Sequence, residues 1–477
     1  MVLSAEQEAV QRAVVGRRQS VLVTGGAGTG KSHLIQELVA SLREAGSTPA
    51  ITATTGCAAV QIGGTTIHAF SGLGGSRRPR EQLLRSMNKD TRRRWAGVSH
   101  LVVDEISMLS ADQFDTLEWL ARGARKSRAW FGGVTVVLVG DFCQLPPVSR
   151  EIICPKCRHP WPGDTRRPPH ICTCTKCRAT FPPRTFAWES DAWKAGGIAV
   201  HTLTHVFRQE DRAFAALLGR IRTGSPTDAD LAVLNTRITA TPPLDAVMMH
   251  GRRDAVDAHN RQQYERLRGA EERVFTATTT SGGPKGRVML EELIKTVPVP
   301  RTQALCVGAR VMLVRNVDVD AGLFNGKCGV VVGFEGKGVR VLFDGALFDG
   351  ALFDKTPDGD GPGDGSCIIP PVVWNSTTPS NQKPGSSAVF EQVPLILAWG
   401  ITIHKTQGMT LDRACVSLAN LFSAGQAYVA LSRVRSLDGL YILKTPVNRA
   451  CIQTNPCAIQ FYQTPPPHHP TKRAKHA

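Results

Sequence analysis

The residues of this chain best suited to phosphate chemistry sit at fixed distances from glycine-rich and apolar runs. Gly25, Gly26, Ala27, Gly28, Thr29, Gly30, Lys31 and Ser32 read G-x-x-x-x-G-K-S. Glycines in such a turn let backbone N–H groups close around phosphate oxygens, and a helix opening there adds a favourable dipole. Lys31 would reach the β- and γ-phosphates, and the Ser32 hydroxyl would hold Mg²⁺. Asp104 and Glu105 end a second apolar run, Leu101-Val-Val. Asp104 can hold Mg²⁺ from the side opposite Ser32, and Glu105 can orient and activate an attacking water. An Asp-Glu pair alone carries little information; one that caps an apolar strand downstream of a phosphate loop carries a great deal. Gln144 follows Gly140-Asp-Phe-Cys, where a neutral amide can donate to a γ-phosphate oxygen and register its loss. Together these residues predict binding and hydrolysis of a nucleoside triphosphate.

Two arginines later in the chain, Arg208 in Val206-Phe-Arg-Gln209 and Arg433 in Tyr428-Val-Ala-Leu-Ser-Arg433, could stabilise transition-state charge from a second domain and couple its closure to hydrolysis. A different chemistry is suggested by cysteine. Of thirteen cysteines, five fall between positions 154 and 177. Cys154-x-x-Cys157 and Cys174-x-x-Cys177 are separated by sixteen residues, the spacing of two knuckles closing a structural Cys₄ zinc site. Cys172, His159 and His170 stand as spare or alternative ligands. Such clustering fits metal binding in a reducing compartment better than a disulfide framework.

Elements must place these residues. Ser20-Val-Leu-Val-Thr24 is an apolar run of the buried parallel-strand kind, and Leu34, Ile35, Leu38, Val39 and Leu42 recur at helical spacing after the loop. The first ~145 residues alternate apolar runs with amphipathic stretches, the pattern of a mostly parallel α/β domain. Residues 150–184, rich in Pro, Cys and Arg, read as an insertion. Short β runs with glycine turns between about 305 and 390 suggest a small inserted β-barrel. Within it Leu-Phe-Asp-Gly-Ala at 342 recurs at 347, and Leu-Phe-Asp again at 352, a loop expansion with no chemistry attached. The residues after Thr464 are basic and of low complexity, predicting disorder and favouring a nuclear setting, with a viral or organellar one open.

The net charge of +17 and pI near 9.6 predict a polyanionic partner. Arg77, Arg78, Arg80, Arg85, Lys89, Arg92, Arg93 and Arg94 cluster where only Glu81 and Asp90 are acidic, as phosphate-backbone contacts would. No apolar run approaches the ~20 residues of a membrane span, and the N-terminus lacks a signal-peptide n-region. The expectation is a soluble intracellular protein with no membrane partner.

Taken together the motifs resemble the PIF-type DNA helicases of superfamily one, relatives of the RecD subunit. Gln7, the phosphate loop, Ala53-Thr-Thr-Gly-Cys-Ala-Ala59, Thr66-Ile-His-Ala-Phe70 and Asp104-Glu-Ile-Ser-Met-Leu109 occur in family order. They are followed by Gly140-Asp-Phe-Cys-Gln-Leu-Pro-Pro147, Val206-Phe-Arg-Gln209, Asn325-Gly, His404-Lys-Thr-Gln-Gly408 and Ala427-Tyr-Val-Ala-Leu-Ser-Arg433. The resemblance implies an α/β fold of two RecA-like P-loop domains with parallel sheets, 1–200 and 201–304 with 388–450. It also implies an SH3-like barrel over 305–387 in the second domain; the cysteine segment in the first and the tail 451–477 depart from the family pattern. ATP and Mg²⁺ are the implied cofactors, beside the Zn²⁺ expected from the cysteines. Gln7 would read adenine, Arg208 and Arg433 would be arginine fingers, and Gln407 and Gly408 would link the nucleotide to the DNA track. Thr66, His68, Phe70 and His404 match motifs that lie along the single strand. The implied activity is ATP-driven 5′→3′ translocation on single-stranded DNA and unwinding of forks by a monomer, serving replication, repair or recombination. A non-enzymatic nucleic-acid anchor and an RNA-directed motor are the competing readings.

Overall fold

Every residue of the strands Val21–Gly25 (β1), His100–Asp104 (β4) and Thr135–Val139 (β5) is buried in the computed structural model. The structure describes residues 3–73, 80–147, 151–154, 156–157, 160–162, 172–181, 184–243, 246–283, 286–315, 317–318, 321, 323, 327–344, 365–377, 387–418 and 421–463. Arg77, Arg78, His159, His170, Asn325, most of the five-residue duplication and residues 464–477 lie outside them, whereas 451–463, read above as part of the tail, are described and carry a helix over Pro456–Gln463.

With Pro49–Ala53 (β2), Thr65–Thr66 (β3) and Ala199–Leu203 (β6), these strands form a six-stranded parallel sheet in the order β6-β1-β5-β4-β2-β3. Continuous apolar runs suit strands covered on both faces. Alternate residues therefore enter opposite cores: Leu22, Leu101, Val103, Val136 and Leu138 join one, while Val21, Val23, Val102, Val137 and Val139 join the other. Helix α1 (Ala5–Gln11) starts on a capping box in which Ser4 and Gln7 satisfy each other's backbone N–H. Helix α2 (Lys31–Glu44) buries Leu34, Ile35, Leu38, Val39 and Leu42 on one face, as their spacing predicts. Helix α3 (Ile67–Ser71) follows β3, and the longer α4 (Ala111–Arg125) follows β4.

A second parallel sheet carries, in neighbouring order, Ile238–Thr239 (β7), Leu440–Leu443 (β10), Ala414–Val416 (β9) and Val247–His250 (β8). Helices α5 (Arg212–Arg222) and α6 (Gln426–Leu431) belong to the same part of the chain. The last described helix, α7 (Pro456–Gln463), returns to the first core, where Phe461 packs against Phe142, Trp188 and Trp193. Both sheets fall in one compact unit, Met1–Gly251 with Thr402–Ala477.

Arg252–Ile401 form the other unit. Its largest sheet has five strands, in the order Cys367–Ile369, Gly338–Phe343, Cys328–Glu335, Arg310–Leu313 and Leu395–Leu397, all antiparallel. A register shift between Val331 and Gly333 bends the longest strand. Leu305, Val311, Leu313, Val331, Val339, Val341 and Leu395 fill its core.

Candidate active site

The phosphate loop leaves β1 at Gly25 and enters α2 at Lys31. Gly28 and Gly30 hold φ values of +79° and +78°, which L side chains rarely adopt. A Cβ at Gly28 would also meet that of Arg208 at 2.5 Å, and one at Gly30 would meet the Gln7 amide nitrogen at 2.9 Å and the Phe207 ring at 3.3 Å. The loop is thus packed against both the adenine-reading candidate and the segment carrying the first arginine. Lys31 Nζ donates to the carbonyls of Gly25 at 2.8 Å and Gly26 at 2.7 Å. Burial lowers its pKa, opposed by Asp141, Glu105 and Asp104. Gln7 Nε2 donates to Gly30 O at 3.4 Å.

Asp104 and Glu105 stand where β4 ends. Glu105 takes the left-handed conformation, φ 54° and ψ 43°, and its N–H donates to Asp104 Oδ1 at 2.8 Å. Such a conformation is costly for a residue with a Cβ. Burial raises the pKa of both, and Glu105 raises that of Asp104 further; Lys31 and Arg433 act in the opposite direction on Glu105.

The arginines converge on this point from the second sheet's part of the chain. Arg433 is 2 % exposed and is held by Val429 O, Ser432 Oγ, Thr406 O and Met409 O. Arg208 donates to Ser432 O at 2.9 Å. Burial, then the charge of Arg433, lowers its pKa to about 9. Gln407 Nε2 donates to Glu105 Oε2 at 2.7 Å. Gln144 is buried, with its Oε1 without a hydrogen-bond partner among the described residues, a polar atom of the kind a ligand satisfies.

Four further residues complete the site. Tyr428, inside the Arg433 motif, accepts Ala27 N–H at 2.7 Å. Asp141, wholly buried, takes a bidentate pair from Arg222, at 2.9 and 2.8 Å. Burial would raise the Asp141 pKa, but Arg222 holds it below its ordinary value. Phe207 stays 46 % exposed beside Gly30 and Gln7. Asp141, Phe207 and Tyr428 lie within motifs read above, so their positions were signalled although their roles were not; nothing local marks Arg222.

Of the residues matched to the DNA track, Thr66 caps α3 by accepting Ala69 N–H, and His68 is half-buried within 3.3 Å of the Gln113 amide. His404 lies in the turn before Gln407, its ring stacked on Phe422 at 6.0 Å. Phe70 lies on α3, the same short helix as His68. It is 5 % exposed, and its ring meets Trp95 edge-on at 5.1 Å, so it packs into the core beneath α3.

The cysteines form a separate centre. The Sγ atoms of Cys154, Cys157, Cys174 and Cys177 all lie within 4.8 Å of one another. Cys157 N–H points to Cys154 Sγ and Cys177 N–H to Cys174 Sγ, each at 3.4 Å. Two short hairpins carry them, Glu151–Ile153 with Pro160–Pro162 and Cys172–Thr173 with Thr180–Phe181. Cys172 is not part of this cluster.

Comparison with known proteins places this geometry. Residues 2–156 match the model of PIF1-like helicases, and residues 290–334 that of the DNA helicase Pif1 2B domain. Human ATP-dependent DNA helicase PIF1 is 36 % identical over 471 residues, 97 % of this chain and 64 % of the human one. Over nearly its whole length the chain is similar to the PIF1-like helicases. It spans less than two thirds of the length of the curated PIF1 relatives it matches first. Among solved PIF1-like structures, Pif1 helicase from Candida albicans aligns with a TM-score of 0.78 at 29 % identity, covering 97 % of this chain and 99 % of that one. Bacteroides Pif1 bound to single-stranded DNA aligns with a TM-score of 0.72 at 26 % identity, covering 97 % of both chains. Among the described residues no helix is long and apolar enough to cross a membrane.

Proposed function

We propose that this chain is an ATP-dependent DNA helicase that moves 5′→3′ along single-stranded DNA as a monomer and opens forked duplex, in replication, repair or recombination. The observation that carries the reading is the 2.7 Å bond from Gln407 to Glu105. A motif three residues from His404, on the proposed DNA track, there holds the proposed catalytic base directly. Glu105 would accept a proton from water, Lys31 would leave its loop carbonyls for the phosphates, and Arg208 and Arg433 would meet the developing charge. Gln7 would read adenine while Phe207 stacks on it. The adjacent buried carboxylates, each made harder to ionise, are a donor set that a hard divalent cation suits. Ser32 and Asp104 would hold Mg²⁺, which neutralises phosphate charge when bound. Thr66, His68 and His404 are proposed to line the strand.

Unwinding of duplexes with a 5′ or a 3′ single-stranded tail tests the proposal, with Lys31→Ala as control. Opening of the 5′-tailed substrate alone is expected. Failure on both tails despite intact ATP hydrolysis would sink it, and opening of the 3′-tailed duplex alone would reverse the polarity.

Two finer assignments rest on the same reading. Four thiolates leave no open coordination position, so the cysteine cluster is proposed to hold Zn²⁺ as a structural ion that folds the two hairpins. The division into RecA-like parts 1–200 and 201–304 with 388–450, and an SH3-like barrel over 305–387, is proposed from the family likeness. Lys472, Arg473 and Lys475 support a nuclear setting.

A further inference from the structure

Helix α7 lies outside every motif used so far, yet one of its side chains, Tyr462, reaches the strand that feeds the phosphate loop. The Tyr462 hydroxyl lies 2.7 Å from Thr24 Oγ1, 3.0 Å from Phe142 N and 3.2 Å from Asp141 Oδ1. A phenol has one proton to give and two lone pairs to fill. The three contacts match that inventory: Tyr462 donates to the Asp141 carboxylate and accepts from Phe142 N–H and the Thr24 hydroxyl. The ring is clamped as well, with the Arg222 guanidinium 4.6 Å from its centre and the neighbouring Phe461 anchored 5.0 Å from Phe142.

What the hydroxyl joins is specific. Thr24 is the residue before Gly25, in the strand that feeds the phosphate loop. Asp141 opens the turn to Gln144, whose N–H donates to Asp141 O at 3.0 Å. The same carboxylate oxygen also accepts Cys143 N–H at 3.1 Å and the guanidinium of Arg222 on α5, a helix of the second sheet's part of the chain. Phenylalanine would fill the same volume but could satisfy none of these three groups.

We propose that Tyr462 is a positioning residue for ATP hydrolysis, its hydroxyl fixing the Thr24 strand end and the Asp141 turn so that the phosphate loop and Gln144 stay in register. The inference rests on the helicase reading above and acts through Thr24 and Asp141, without contact to the nucleotide.

Tyr462→Phe and Thr24→Val in the full chain test it, by steady-state ATP hydrolysis with single-stranded DNA. Misplacement of reacting groups lowers turnover more than binding, so kcat should fall about tenfold while KM stays within about twofold. Because both substitutions break one network, the double variant should lose no more than about what the worse single variant loses. Wild-type turnover in Tyr462→Phe, or losses that multiply in the double variant, would overturn the proposal. Should Tyr462→Phe fail to fold, Thr24→Val decides alone, and wild-type turnover in it is equally fatal. A wild-type chain that hydrolyses no ATP overturns the helicase reading and this inference together, whereas an active wild type with an unaffected Tyr462→Phe overturns only the latter.

Discussion

The Tyr428 hydroxyl accepts the backbone N–H of Ala27 at 2.7 Å. A side chain from the Arg433 motif therefore sits on one of the amides that a phosphate loop offers to its ligand. An incoming phosphate oxygen has to compete with that hydroxyl. Tyr428→Phe removes the competitor, and a hydrogen bond of ordinary net worth, about 1 kcal/mol, corresponds to nucleotide binding about fivefold tighter. Titration of a fluorescent ATP analogue without DNA checks this, and unchanged or weaker affinity would refute it.

Glu105 gives the second prediction. Its carboxylate is held by Gln407, which lies three residues beyond His404. Gln407→Ala should leave basal ATP hydrolysis near the wild-type rate and cut the stimulation by single-stranded DNA about tenfold, less than the ~10²–10⁴-fold that a positioned acid–base group itself contributes. Equal loss of basal and stimulated rates would show that the amide serves the base alone.

Acid sensitivity follows from the buried carboxylates. Burial raises the Asp104 and Glu105 pKa values, so both stay protonated above the ordinary carboxylate range and hydrolysis is lost as pH falls through that raised range. Added Mg²⁺ favours the ionised forms, so the acid limb of the kcat/KM profile should move to lower pH as Mg²⁺ rises. Stability runs the other way. A carboxyl whose folded pKa exceeds its unfolded value binds more protons in the native state, so its contribution to stability is lost as pH rises through the folded value. Without nucleotide or metal, Asp104→Asn should therefore melt higher than the wild type at neutral pH and equal to it in acid. Thermal melts at both pH values check the sign.

The cysteine cluster predicts about one Zn²⁺ per chain, since four thiolates complete one tetrahedral shell. Metal content by a colorimetric chelator should fall to near zero in Cys154→Ser with Cys174→Ser. Basal ATP hydrolysis should survive, because the four sulfurs gather on two short hairpins of their own. A wild-type chain without zinc would refute the assignment.

Much of this molecule could be read from residue order alone. β1, β4 and β5 are visible as apolar runs, and the phosphate loop and the Asp104-Glu105 pair follow from strand-end chemistry. The two-residue strands Thr65–Thr66 and Ile238–Thr239 are too short to leave a period. Sheet order depends on crossovers that no local pattern records. Arg222 was invisible for the same reason: its partner Asp141 is 81 positions away, and an arginine near a helix end ordinarily faces water. The packing of Phe70 was equally hidden: its motif suggested a stacking platform, and the ring also meets Trp95, on a short helix that the Thr66 cap starts.

Thr24 and Tyr462 meet across 438 positions of chain. At synthesis rates of about 5–20 residues per second, the N-terminal half of the first sheet emerges from a ribosome long before α7 exists. Contacts of such sequence separation are the last to form, because their loop-closure entropy is offset only when the intervening elements are in place. The floor of the nucleotide site would then remain unfinished until Tyr462 itself has been synthesised. A nascent fragment could own an intact phosphate loop and still be unable to burn ATP.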